Sequence, residues 1–348
     1  MRPIELRTPA QSSVGGNVFF RGLAVALGDK VEKGKLSLSN AALAQELDLP
    51  TLSDHGDDSR VSLHLGASVE AQRGTNIFWP LSVAPVEKTD SDLLGKRLLD
   101  RARPRLMRLK LRQAIRKADR LIFSSEHAKG LYLDSFSSLK GYETTVIKTG
   151  HSIDPVSGFE RTMSNAEGTF VLLWVGNAYA YKGLLESIEA VLKASVESQR
   201  PLRLEVVGQL YDDSVGDIAR RAARDRPDLI RLHGSRPGDE LVNFYSDADA
   251  FLFTSRTENY GSFALADAFR FALPTISNGL SSNPEMNEGA AIEISPSDTT
   301  AMAKAIVTLA SDSAEYSRWM NRSAERGRRL ANWHQVADNV LAVLEDCS

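Results

Sequence analysis

From residue 169 onward, short apolar or β-branched runs alternate with longer segments of helical period, and this alternation constrains the fold more than any other feature of the chain. The runs TFVLLWV (169–175), LRLEVV (202–207), 229–232, 250–254, 274–276 and 290–294 read as strands. Apolar residues fill nearly every position of the first of these, the pattern of a strand covered on both faces and hence of a parallel sheet between helical layers. Helices are expected over 184–194, 215–224, 239–246, 263–271, 299–310, 314–330 and 336–345. Such a repeat of strand and helix predicts a complete doubly wound domain.

The first half shows the same alternation less cleanly. Strands are expected at 3–6, 60–65, 120–124 and 144–147, and helices at 18–27, 93–117 and 126–134, while 28–58 is polar and carries no clear period. A Gly-Gly turn leads from the first strand to the first helix. The polar stretch SGFERTMSNAEG (157–168) marks a linker. At 348 residues the chain is long enough for two cores. We therefore expect an α/β protein of two Rossmann-like, doubly wound domains facing a cleft, over 1–160 and 161–330, with the last helix (331–348) crossing back to the first domain. Ligands in such sheets bind beyond the carboxyl ends of the strands, so the loops after strands are where chemistry is sought.

Composition narrows the function classes. With 42 Lys and Arg against 45 Asp and Glu, the net charge of −3 argues against a nucleic-acid partner. The lone cysteine, Cys347, excludes a disulfide framework and a Cys-rich metal site. No apolar run is long enough to span a bilayer, and 1–9 lacks the apolar run of a leader, so a cytoplasmic protein is expected.

Two loops hold the residues suited to chemistry. After the strand ending at Val175 comes Gly176-Asn177-Ala178-Tyr179-Ala180-Tyr181-Lys182-Gly183, opening a helix. Glycines let the backbone approach a ligand, and a helix N-terminus with Lys182 favours a diphosphate. On its own this reads as a tight strand–helix turn with a solvated lysine, which is commonplace in α/β folds. The second loop, SRTENYGSFALADAFRFALP (255–274), carries Glu258, turns at Gly261 and opens a helix at Ser262 and Phe263, with Asp267 one turn inside. Two carboxylates there can clamp hydroxyls of a sugar and a ribose, and the backbone N–H groups near Ser262 and Phe263 can meet phosphate oxygens. Taken singly, Glu258 is better read as a cap and Asp267 as a solvated helix charge.

In combination these segments resemble the retaining family-4 glycosyltransferases of the GT-B fold (glycosyltransferase group 1). The resemblance rests on Val175-Gly176…Lys182-Gly183, Leu204-Glu205-Val206-Val207-Gly208, His233-Gly234, Glu258-Asn259-Tyr260-Gly261, Ala272-Leu273-Pro274-Thr275-Ile276 and Ser277-Asn278…Asn283-Pro284-Glu285, in order across 170–312. Two departures stand out. Eight positions after Glu258 the family's second glutamate is replaced by Ala266, with the acid one later at Asp267, and the family's frequent Arg after the first glycine is Asn177.

The resemblance implies a retaining, metal-independent transfer of a sugar from a nucleoside diphosphate sugar to a hydroxyl of a glycan, polysaccharide or lipid-linked acceptor. No cofactor beyond the donor substrate is implied. Lys182 and the helix end at Ser262 would stabilise the departing diphosphate, Glu258 would hold the transferred sugar and Asp267 the ribose. Gly15 and Gly16, preceding a helix, are similar to the family's glycine loop facing donor phosphates, and His64 matches the histidine placed near the sugar, though it reads also as an ordinary half-buried histidine. Phe78 and Trp79 fall where relatives line the acceptor pocket, and can equally be core. His151 and Asp154 read as structural. Between Lys96 and Arg120, eleven bases and two acids give a local charge of +9 beside Leu98, Leu99, Leu106, Leu109 and Ile115, with Pro104 expected to kink or divide the helix. This segment is either a solvated face or a surface for anionic lipid. The alternative functions are a catalytically impaired nucleotide-binding partner and a nucleotide-sugar epimerase, for which no acid–base pair can be assigned.

Overall fold

Most of the apolar runs become strands with side chains buried on both faces, and with more exposed strands at the sheet edges they form, among the described residues, two separate six-stranded sheets in which all the pairings are parallel. A computed structural model of the chain describes residues 2–8, 14–32, 35–52, 60–66, 69, 74–82, 86, 98–139, 141–163, 168–260 and 262–346. The chain divides into two compact units, one of Met1–Gly150 with Ala331–Ser348, the other of His151–Leu330. The linker expected at 157–168 thus begins after the division, and residues 151–160 pack with the second unit.

In the first unit the strands are β1 (Ile4–Arg7), β2 (Leu36–Leu38), β3 (Val61–Gly66), β4 (Thr75–Pro80), β5 (Arg120–Phe123) and β6 (Glu143–Val146), in the order β2-β1-β3-β4-β5-β6. Its helices are α1 (Val14–Gly28), α2 (Ala41–Glu46), α3 (Leu98–Lys117) and α4 (Glu126–Ser135). The polar segment without clear period holds β2 and α2. The helix α1 starts four residues earlier than its period suggests, so Gly15 and Gly16 lie in its first turn and not in a turn ahead of it. The helix α3 runs unbroken through Pro104.

The second unit contains β7 (Phe170–Val175), β8 (Leu202–Val207), β9 (Ile230–Gly234), β10 (Ala250–Leu252), β11 (Thr275–Ser277) and β12 (Ile292–Glu293). Their order, β12-β11-β10-β7-β8-β9, reverses direction of growth between β7 and β10, the point where a doubly wound sheet binds ligands. Helices α5 (Leu184–Glu197), α6 (Ser214–Asp225), α7 (Gly238–Asp247), α8 (Phe263–Arg270), α9 (Asn283–Asn287), α10 (Thr299–Ser311) and α11 (Ser313–Arg329) flank it. Along β7 the side chains alternate, so that Phe170, Leu172 and Trp174 join one core with α5 and α10, while Val171 and Leu173 join the other with Phe251, Phe269 and Phe271. At the end of β8 the backbone of Gly208 (φ 141°) lies so near Gly176 that a Cβ would stand 1.8 Å from the Gly176 carbonyl oxygen. Only glycine fits there, and the loops after β7 and β8 are fixed against each other.

The final helix, α12 (Trp333–Asp346), packs on α1 in the first unit. Trp333 stands edge-on to Phe19 at 5.5 Å, and Phe19 in turn is edge-on to Trp79 at 5.0 Å. Gly22 makes room for the indole, since a Cβ on it would lie 2.3 Å from Trp333 Cε2. In an open helix, glycine to alanine gains about 1 kcal/mol. Here the gain is outweighed by overpacking, which costs about 1–3 kcal/mol. Gly22→Ala is therefore expected to lower the thermal unfolding temperature of the first unit, read by calorimetry, and a rise instead would show that the indole yields freely.

Candidate active site

The loop after β7 is built around a contact that only glycine permits. Ala180–Lys182 form one 3₁₀ turn, and Gly183 then takes φ 72° to start α5. A Cβ on Gly183 would stand 2.6 Å from both the Cβ and the carbonyl oxygen of Thr254, at the end of β10. The Thr254 hydroxyl reaches the carbonyls of Lys182 at 3.0 Å and Gly183 at 2.8 Å. The Arg256 N–H donates to the Tyr181 carbonyl at 2.9 Å, and the Arg256 guanidinium pairs with Glu186 on α5. Two loops more than 70 residues apart in sequence are thus sewn together at the carboxyl ends of adjacent strands.

Their product is an ion pair between Lys182 and Glu258, whose side chains are only 18% and 10% exposed. Burial alone would lower the pKa of the ammonium; the Glu258 carboxylate, with Tyr181 and Tyr179, outweighs it and holds Lys182 above the ordinary lysine value. The amine also lies 5.3 Å from the centre of the Tyr181 ring. Tyr181, Tyr179 and Tyr211 stack in a column, with ring centres at 5.8 and 4.9 Å, and the Tyr211 hydroxyl donates to that of Tyr179 at 2.8 Å. The backbone of Glu258 is held from the loop after β11: its N–H donates to Ser281 Oγ at 3.0 Å, and its carbonyl accepts from Ser281 Oγ at 2.8 Å and Ser282 Oγ at 2.9 Å.

Asp267 stands apart from this pair. It is 2% exposed, and its carboxylate accepts from the Ser152 N–H at 2.7 Å, the Ile153 N–H at 3.2 Å and the Ser152 hydroxyl. Burial pushes its pKa up, the bonds from Ser152 and Ile153 pull it back, nearby Asp154 raises it, and the balance stands at about 7. A carboxylate so engaged anchors the segment after Gly150 and offers nothing to a ribose. Asp154, in that segment, binds Arg270 of α8 and His151.

Other expected site residues are placed as follows. Ser262 caps α8, accepting from the Leu265 N–H at 3.4 Å, with Phe263 half-buried beside it. Gly261 lies outside the described residues. Gly176 donates its N–H to the Val207 carbonyl at 2.9 Å, and Asn177 Oδ1 accepts from the Gln209 N–H at 3.4 Å, so the amide secures the loop after β8. In the first unit, His64 is buried in β3 with its Nε2 3.0 Å from Asn76 Oδ1. Phe78 and Trp79 are fully buried in β4, and Trp79 Nε1 donates to Ser124 Oγ at 3.0 Å. The acceptor reading of those two aromatics is corrected: with no exposed face, neither can stack on a sugar. Of the expected residues, then, the structure brings Lys182 and Glu258 into contact. The residues missed are Ser281 and Ser282 and the tyrosine column, the latter marked in sequence by two tyrosines around Ala180 in the first loop. Among the described residues no group of three or more His, Cys, Asp or Glu side chains is placed to hold a metal ion, and no helix is long and apolar enough to cross a membrane.

Two parallel six-stranded sheets flanked by helices define a GT-B fold of two Rossmann-like domains, and solved structures of that class match nearly the whole chain. Sucrose-phosphate synthase from Thermosynechococcus elongatus matches at TM-score 0.71 and 16% identity, covering 99% of both chains. Anabaena HepE in complex with UDP matches at TM-score 0.71 and 12% identity, covering 99% of this chain and all of that one. WaaG, a glycosyltransferase involved in lipopolysaccharide biosynthesis, matches at 0.69 and 13%, covering 98% and 99%. No curated protein matches the chain. Residues 169–312 match the family of glycosyl transferases group 1, so the second unit carries a group 1 glycosyltransferase domain.

The Asp267 carboxyl yields a test of its surroundings. An unfolded aspartate loses its proton near 3.8, whereas the folded one keeps it to about 7. The stability this contributes is fully present below 3.8 and is lost as pH rises through 7. Asp267→Asn lacks the titration, so its stability relative to the wild type should rise between pH 4 and 7 in urea unfolding and level off above. A difference that stays constant with pH would contradict the raised value.

Proposed function

We propose that this protein transfers a sugar, with retention of anomeric configuration, from a nucleoside diphosphate sugar to an acceptor hydroxyl. The observation carrying the reading is the Lys182–Glu258 pair at the carboxyl ends of β7 and β10, inside a group 1 glycosyltransferase domain. Each partner is bound by the other, and a donor supplies a substitute for both: its diphosphate replaces Glu258 beside Lys182, and its sugar hydroxyls donate to the freed carboxylate. Lys182, held charged, then offsets the negative charge that grows on the diphosphate as the bond from C1 to the phosphate oxygen breaks. The acceptor oxygen bonds to C1 on the face the diphosphate leaves, and its proton passes to the departing phosphate oxygen. No enzymic nucleophile is required, and no metal is invoked. HepE structures hold UDP, glucose and UDP-glucose, which supports a uridine donor for this chain.

Two departures favour a second reading, nucleotide binding without turnover: Asn177 stands where the family often has Arg, and Asp267 is occupied by Ser152. Calorimetric titration with UDP and GDP in the presence of a chelator, on wild type and Lys182→Ala, tests the site. One nucleotide should bind, and the variant should lose about 1.5–3 kcal/mol, roughly ten- to hundredfold, as expected for a charged hydrogen bond. Binding of neither would remove the donor-site assignment. Binding without release of UDP from UDP-glucose, with or without sugar acceptors, would favour the second reading.

The basic segment supports a lipid-linked acceptor. Leu111, Ala114 and Ile115 bury one face of α3 in the core, which parts Ile115 from the apolar side it is expected to share with Leu106 and Leu109. Leu106 and Leu109 remain 60% and 58% exposed beside the exposed Arg108, Lys110 and Arg112. Lys96 and Arg97 lie outside the described residues. Exposed leucines among cations suit an anionic bilayer surface, with about 1 kcal/mol from each base near it. Sedimentation with vesicles of phosphatidylglycerol and phosphatidylcholine should capture the protein at low salt, and the Leu106→Asp, Leu109→Asp double variant should reduce capture at least tenfold. Equal capture by phosphatidylcholine alone would exclude the electrostatic part.

A further inference from the structure

We propose that Ser281 is a positioning residue that sets how Glu258 meets the donor sugar, an inference that rests on the sugar-holding role given to Glu258 above. A single hydroxyl serves both backbone groups of Glu258, accepting from its N–H at 3.0 Å and donating to its carbonyl at 2.8 Å. The serine holds this place in the left-handed region, at φ 54°, where a side chain is strained and glycine is not. The chain keeps a side chain at that position, and its hydroxyl bonds to both backbone groups of Glu258.

The surrounding loop is made rigid for the same purpose. Asn278 and Asn283 both donate from Nδ2 to the Ser255 carbonyl at 3.0 Å, and Asn283 Nδ2 also reaches Asn278 Oδ1 at 3.0 Å. Both asparagines are fully buried. The segment from Ser255 to Glu258 is therefore held at its start by two amides and at its end by Ser281 and Ser282. Ser282 Oγ joins the clamp at the Glu258 carbonyl. Because Ser281 fixes both the N–H and the carbonyl, it fixes the direction in which the Glu258 side chain leaves the backbone. Lys182 can pull the carboxylate toward itself without that clamp, but a sugar needs the carboxylate in one orientation to accept from its hydroxyls.

The test separates the sugar from the nucleotide. Full-length wild type, Ser281→Gly, Glu258→Gln and the double variant are titrated with UDP and UDP-glucose, or with GDP and GDP-mannose if guanosine is the base that binds. Thermal unfolding is followed in parallel. Ser281→Gly removes the hydroxyl with its two bonds but also the left-handed strain, so its unfolding temperature should stay close to that of wild type. Its affinity for the nucleotide should be unchanged, while affinity for the nucleotide sugar should fall about tenfold, the scale of one lost hydrogen bond. In the Glu258→Gln background the same change should have no further effect, since Ser281 acts through Glu258. A normal nucleotide-sugar affinity in Ser281→Gly, beside a loss in Glu258→Gln, would overturn this inference alone. An equal loss for nucleotide and nucleotide sugar would assign Ser281 a general structural role and also overturn it. A normal affinity in Glu258→Gln would overturn the reading of Glu258 and the inference with it.

Discussion

The approach of Gly183 to Thr254 is the constraint on which the candidate site depends. Adjacent parallel strands bring the ends of β7 and β10 to about 5 Å of each other. That spacing alone does not align their loops. The missing Cβ at Gly183 lets the two backbones touch, and the Thr254 hydroxyl then ties down the carbonyl of Lys182 itself. The lysine is thus anchored within one residue of its side chain's origin, facing a carboxylate whose own backbone is held from a third strand end. Three strands side by side in the sheet, β7, β10 and β11, each contribute one member of this arrangement.

Helix α8 carries two different tasks at its two ends. Its first turn, capped by Ser262, belongs to the loop that bears Glu258. Its middle and last turns hold the segment following Gly150, through Asp267 to Ser152 and Ile153 and through Arg270 to Asp154. A buried acid with three donors is costly to disturb, because removing any partner leaves a desolvated group. The acid that spacing suggested for a ribose is in this way part of the chain's own scaffold.

Much of this was legible in sequence where burial writes a pattern. Strands β7 and β8 are apolar on both faces and stand within one residue of where the runs predict them, and the helix α5 between them follows its apolar period. The resemblance assigns Lys182 to the diphosphate and Glu258 to the sugar of one donor without saying that they touch, and their direct pairing is seen only in the structure. Asp267 departs from its expected role because its partner lies 115 residues away, and no local signal tells a helix acid facing solvent from one facing a distant backbone. The acceptor role of Phe78 and Trp79 comes from the resemblance alone, and the strand that buries them, Thr75–Pro80, is not among those the apolar runs predict. Ser281 left no mark, since only its φ reveals that a glycine position is occupied by a side chain.

The docking of α12 on α1 also has a consequence for how the chain is made. Residues 151–330 form a continuous stretch, so the second unit has all its parts once Leu330 has left the ribosome. The first unit does not, although it is synthesised earlier. Its groove at Gly22 and Phe19 stays open to water until Trp333 arrives, more than 300 residues later. The order of completion is therefore the reverse of the order of synthesis, and the nascent first unit is the part that needs protection from association while it waits.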